Sequence, residues 1–98
     1  MASGTLGGRE KCWDESEPRL ASLMKGRLEL NPAGSTLATP EGDLLSITFP
    51  RLIVRSYTTG RAVVDGNGAA VASNGELVTV FGGLGDGSMV VCAIEERH

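Results

Sequence analysis

From Leu20 to Ile94 the chain breaks into short apolar runs, in which hydrophobic and polar residues alternate or β-branched residues cluster, most of them ending at glycine, proline or asparagine. A period of two marks strands half buried against a core, and such runs are too short for helices. Residues 44–49 (LLSITF) and 52–55 (LIVR) are the strongest of them, broken at Pro50, which has no N–H to give a central ladder. Around the second run Arg51, Ile53, Arg55 and Tyr57 share one parity and Leu52 and Val54 the other, so Leu52 and Val54 are expected to point inward.

Residues 61–81 read as a β-meander, because Asn67-Gly68 and Asn74-Gly75 sit between apolar runs and suit the type I′ turns of tight hairpins. Upstream, Ser16 and Pro18 could start a short helix that Gly26 ends, but residues 20–30 are read instead as one long strand with a bulge or sharp bend at Gly26, which lets a curved first strand pair with both halves of a closed sheet. A turn at Asn31-Pro32-Ala33-Gly34, a weak strand over 35–39, a second turn over 40–43, a glycine-rich connection over 82–87 and a last strand over 88–95 complete the pattern. The chain is therefore predicted to be all-β. About six to eight short antiparallel strands would close a small barrel, fully or partly, of the oligonucleotide-binding-like or SH3-like type.

At 98 residues there is room for one core, placed over 19–98. Residues 1–18 read as a flexible acidic tail, although Trp13 within it is expected to dock on the domain and cap an open barrel end. Fourteen glycines spread among the runs argue for many tight turns rather than a linker tract.

Charge is uneven along the chain. Residues 1–18 carry −2, 19–61 carry +3 and 62–98 carry −4, for a net −3. The pI near 5.0 argues against a general nucleic-acid binder but leaves a local basic face open. No window approaches the ~18 apolar residues of a membrane span, and the N-terminus lacks the apolar core of a signal peptide. A cytoplasmic protein is expected as written, an extracytoplasmic one if the chain is cut from a longer exported protein. Cys12 and Cys92 can form one bridge closing a long loop, or remain two thiols with Cys92 a small apolar core residue.

Candidate chemistry is sparse. The glycines of 82–87 lack the following helix that a phosphate-cradling loop needs, and Asp65-Gly66-Asn67-Gly68 lacks the later ligands of a calcium loop. The sole histidine, His98, ends the chain where it is expected to fray, and two distant cysteines make no zinc motif. Asp65, Glu76 and Asp86 are the carboxylates that could cluster for acid–base work, but acidic residues beside turns are usually solvated. No enzyme activity, metal or cofactor is expected. The one surface set is Arg51, Arg55 and Tyr57 on one strand face with Arg61 nearby, since arginines pair phosphates and a ring stacks bases. A solvated strand face is the plainer reading of the same residues.

Gly26-Arg27-Leu28-Glu29-Leu30, Ile47-Thr48-Phe49-Pro50, Val63-Val64-Asp65-Gly66-Asn67-Gly68, Val71-Ala72, residues 75–83 (GELVTVFGG) and the late Cys92 together resemble small β-domains of unassigned function. Such domains occur in bacterial, especially actinobacterial, hypothetical proteins and lipoproteins. The resemblance covers about residues 20–95 and implies an oligonucleotide-binding-like barrel, with export common among its members. It carries no functional residue across. The expected function is a non-enzymatic module that binds a protein or small ligand on a sheet face or loop end, as a monomer or homodimer. Single-stranded nucleic-acid binding through Arg51, Arg55 and Tyr57 is the alternative.

Overall fold

The computed structural model describes residues 11–14, 16–31 and 33–98, and the elements among them are all strands. They are β1 (Leu20–Glu29), β2 (Ser35–Ala38), β3 (Leu44–Thr48), β4 (Ile53–Tyr57), β5 (Gly60–Val64), β6 (Ala70–Ser73), β7 (Leu77–Leu84) and β8 (Ser88–Arg97). Five strands close a barrel in the order β1-β2-β3-β8-β7, and β4-β5-β6 form a separate sheet. The protein is all-β, built on a small barrel. No helix among the described residues is long and apolar enough to cross a membrane.

Closure depends on β1, whose Leu20 to Arg27 pair with β7 while Arg27 to Glu29 pair with β2. The changeover falls beside Gly26, where a Cβ would lie 2.7 Å from the Ala38 carbonyl oxygen and 2.8 Å from the Leu37 side chain. The expected double pairing is present, without a bulge. The other closing contact departs from the antiparallel pattern, because Ser46 to Thr48 of β3 run parallel to Ser88 to Val90 of β8. Parallel neighbours need a long crossover. The chain between them makes the second sheet and then β7.

The expected meander is interrupted at its second turn. β5 and β6 pair, but β7 leaves for the barrel, so Asn74-Gly75 is a junction between sheets rather than a hairpin tip. Gly75 N–H donates to the Leu28 carbonyl (2.7 Å), Leu28 N–H to the Glu76 carbonyl (3.0 Å), and Leu30 N–H to Asn74 Oδ1 (2.8 Å). These bonds satisfy the far edge of β1. The first turn is not a two-residue type I′ loop either. Gly68 N–H donates to the Asp65 carbonyl and Asp65 N–H to that of Ala69, which makes a three-residue loop with Gly68 left-handed at φ 84°. Asp65 Oδ1 favours it by accepting from Asn67 N–H (2.8 Å) and Ala69 N–H (3.0 Å).

The barrel interior holds Leu28, Leu30, Leu37, Ile47, Val78, Val80, Met89 and Val91, and the small sheet adds Val63 and Ala72 to the same core. Leu52 and Val54 pack against it, as their parity predicts. Burying each such aliphatic chain is worth about 1.5–3 kcal/mol, which is what fastens the second sheet to the barrel.

A second cluster of Trp13, Phe81 and Cys92 corrects two expectations. Along β8 Met89 and Val91 face the interior while Val90 and Cys92 belong to this cluster, so it lies on the outer wall. Trp13, 8% exposed, therefore covers a wall and not an open end. Its indole lies over Gly83, where a Cβ would approach it to 2.6 Å, and it meets Phe81 at 6.2 Å between ring centroids. The glycine-rich connection is correspondingly shorter than 82–87: β7 runs through Gly82 and Gly83 to Leu84, leaving Gly85-Asp86-Gly87 as the loop. The tail boundary at residue 18 also moves. The Cys12–Cys92 disulfide, with its Cα atoms 5.5 Å apart, fastens the chain from Cys12 onward, and the mobility expected for residues 1–10 lies outside the described residues.

Glu76 ties the sheet junction to the end of β8. Its Oε1 accepts from Ser73 N–H (2.8 Å) and Arg97 Nη2 (3.0 Å), and its Oε2 from Arg97 Nε (2.8 Å). The Arg97 guanidinium is the main cause holding the Glu76 carboxyl below its ordinary range, with the Ser73 N–H assisting against partial desolvation. A depressed folded pKa adds stability that is present above the unfolded value, about 4.3, and is lost as pH falls through the folded one. Wild type is therefore expected to exceed Glu76→Gln in urea denaturation at pH 7, with a narrower gap at pH 3. A gap of equal size at both pH values would show that shape, not charge, is at work.

Candidate binding cleft

A cleft of about 480 Å³ separates the barrel from the small sheet. β3 ends at Thr48, ahead of Pro50, and the chain re-enters a ladder at β4, on a different sheet. Ile47, Phe49, Leu52 and Val54 give the cleft an apolar floor, Asn31, Thr48 and Ser56 supply exposed polar groups, and Ser35 adds a buried hydroxyl. Arg61 is the one charged side chain among the described residues that line it. Its Nη1 donates to the Leu30 carbonyl at 3.3 Å, whereas its Nε is buried without a hydrogen-bond partner among the described residues.

The sequence places Arg51, Arg55, Tyr57 and Arg61 together, and the structure divides them. Directly opposed residues of an antiparallel pair share a face, and the register sets Arg61 opposite Ser56 and Arg55 opposite Ala62. Arg61 thus lies on the inner face with Ser56 and Val54, while Arg55 and Tyr57 lie on the outer one. Tyr57 is 49% exposed beside Ile53 at 52%. Arg51 precedes the strand, and its Nη2 donates to the Lys11 carbonyl at 3.2 Å, so it helps seat the N-terminal segment. The side chain of Arg55 makes no hydrogen bond or ion pair among the described residues. The polar lining residues Asn31, Ser35 and Thr48 were missed in the sequence, because isolated small polar residues at turns and strand ends carry no pattern.

The remaining candidates stay apart. Asp65 bonds its own loop, Glu76 is held by Arg97 and Ser73, and Asp86 sits at the β7–β8 turn; among the described residues no group of three potential ligands could hold a metal. Gly85 to Gly87 lead into a strand, which leaves no helix N-terminus to receive phosphate. His98 is better fixed than a fraying end, with its N–H donating to the Leu77 carbonyl (2.9 Å) and its Nε2 at 2.8 Å from Thr79 Oγ1. Glu96 approaches the same Nε2, at 3.8 Å. A nucleophile–base–acid relay needs the acid on the other ring nitrogen, so the three do not form one.

Fold and cleft define a small all-β protein with an apolar, singly charged groove between two sheets. No family model matches the chain, and neither does any curated protein or solved structure.

Proposed function

We infer that the protein is a non-enzymatic interaction module that takes a segment of another protein, or a small ligand, in the cleft between the barrel and the small sheet. The carrying observation is the make-up of that cleft, an apolar floor with the Arg61 guanidinium on its wall and no carboxylate among its described lining residues. Apolar concave sites with a few placed polar groups are the usual form of ligand pockets. The barrel order, in which the parallel β3–β8 pair closes the ring and β1 serves two neighbours, supports an oligonucleotide-binding-like classification. Fold alone does not carry function. The Cys12–Cys92 bridge weighs toward an oxidising compartment over the cytoplasm, in keeping with the exported bacterial domains that the sequence resembles. The working form is a monomer or a symmetric dimer.

Single-stranded nucleic acid is the second reading, favoured by Arg55 and Tyr57 standing side by side on an exposed face. One capture experiment separates the two. Immobilised wild type and Ile53→Glu, a half-exposed cleft position, are each presented with lysate, with and without nuclease. The cleft reading expects nuclease-resistant material that Ile53→Glu no longer retains. Equal capture by both proteins sinks it. Capture abolished by nuclease and by Tyr57→Ala moves the assignment to nucleic acid.

A further inference from the structure

β4 is an edge strand that pairs with β5 alone. Every second residue of an antiparallel strand directs its N–H and C=O away from the paired neighbour, so one row of β4 backbone groups faces away from the sheet. The cleft is bordered by Ile53, Val54 and Ser56, residues of both parities, which means that it reaches around this edge and not merely across one face. Charge singles out the same place. Residues 44–64 contain Arg51, Arg55 and Arg61 and no carboxylate, although the chain as a whole is acidic.

We propose that an extended acidic peptide segment of a partner protein adds to the free edge of β4 as a fourth strand of the small sheet. The proposal rests on the cleft reading and names the ligand class for it. Peptide backbone offers donors and acceptors in the alternation that a strand edge presents, which a sugar-phosphate chain does not. Side chains of the added strand would alternate between the two faces. Those beside Val54 and Ser56 enter the apolar cleft, and those beside Ile53, Arg55 and Tyr57 lie on the exposed face, where the uncommitted Arg55 favours carboxylates. The preferred ligand therefore alternates apolar and acidic residues. A second copy of the chain fits less well, because two-fold pairing centred on β4 sets Arg55 against its own equivalent, and like charges directly opposed are destabilising. Residues 1–10 fit no better, with Arg9 offsetting Glu10.

The test titrates the isotope-labelled protein with a blocked hexapeptide alternating glutamate and valine, followed by amide shifts and hydrogen exchange. Shifts and slowed exchange confined to β4 and the cleft are expected. Arg55→Glu should weaken binding roughly tenfold and restore it for the lysine–valine peptide, by reversal of a cross-strand charge pair. Methylating alternate peptide nitrogens should abolish binding, since those N–H groups make the ladder. Equal binding of the methylated peptide, indifference to Arg55→Glu, the same β4 shifts on adding oligothymidylate, or a β4-mediated dimer in sedimentation would each overturn the proposal. Failure here is distinguishable from failure of the cleft reading. If the peptide leaves β4 unmoved while Ile53→Glu still abolishes capture from lysate, the edge proposal falls and the cleft reading stands.

Discussion

Reduction of the Cys12–Cys92 bridge is expected to lower the free energy of unfolding by about 2–4 kcal/mol. The bridge joins residues 80 apart, nearly the whole domain, and for a loop of that length the chain-entropy model gives about 4.5 kcal/mol. Measured bridges usually fall short of that model, because the reduced unfolded chain keeps some structure. A domain of this size has roughly 5–15 kcal/mol in all, so the change is a large share. Urea denaturation with and without reductant, alongside the Cys12→Ser/Cys92→Ser double variant, should show an earlier midpoint and a steeper slope, since the uncrosslinked unfolded chain exposes more surface. Trp13 fluorescence should shift to the red at denaturant concentrations below the main transition, as the strap that carries it opens first. An unchanged midpoint would show that the indole and its neighbours hold the segment without the bridge.

Alternation along single strands was legible in the sequence, and pairing between distant ones was not. Leu52 and Val54 turn inward because a strand's period is a local property, and β1 could be read as a curved, twice-paired strand because Gly26 interrupts an otherwise continuous run. The parallel β3–β8 contact leaves no trace in either strand's pattern. The glycines at 82 and 83 were misleading for a related reason. Glycine in a run of turns signals a loop, yet these two are small because β8 and Trp13 approach them, and neither partner is adjacent in sequence.

The site was harder to read, since it depends on register across a hairpin. Thr58 and Thr59 form a loop that sets Tyr57 opposite Gly60, and from this it follows that Ser56 opposes Arg61. One more loop residue would have put Arg61 beside Arg55, on the face where its position in the sequence suggests it belongs. Loop length also brings Arg61 into the cleft and leaves Arg55 at the outer edge. The other wall, made by Asn31, Ala33, Gly34 and Ser35, joins it through tertiary packing alone.

Gly82→Ala is expected to be among the most damaging single substitutions, at about 3 kcal/mol or more, whereas Gly83→Ala should cost about 1–2 kcal/mol. Neither residue has a left-handed φ, so the difference comes from what a Cβ would strike. On Gly82 it would overlap the Val90 carbonyl oxygen and lie 2.9 Å from its carbon and 3.0 Å from Val91 Cα, all backbone of β8 at a register shift between the two strands. That ladder cannot move aside without losing hydrogen bonds. On Gly83 the three atoms nearest the Cβ all belong to the Trp13 indole, the first at 2.6 Å, and a side chain on a strap can tilt away. The two positions should therefore respond oppositely to reduction of the bridge. Once the strap is released, the Gly83→Ala penalty should shrink, because the indole can move away from the methyl, while the Gly82→Ala penalty should persist in full. Denaturation of both variants in oxidised and reduced form gives the coupling energy directly. A Gly83→Ala cost that is the same in both states would mean that Trp13 does not depend on the bridge to stay on the barrel wall.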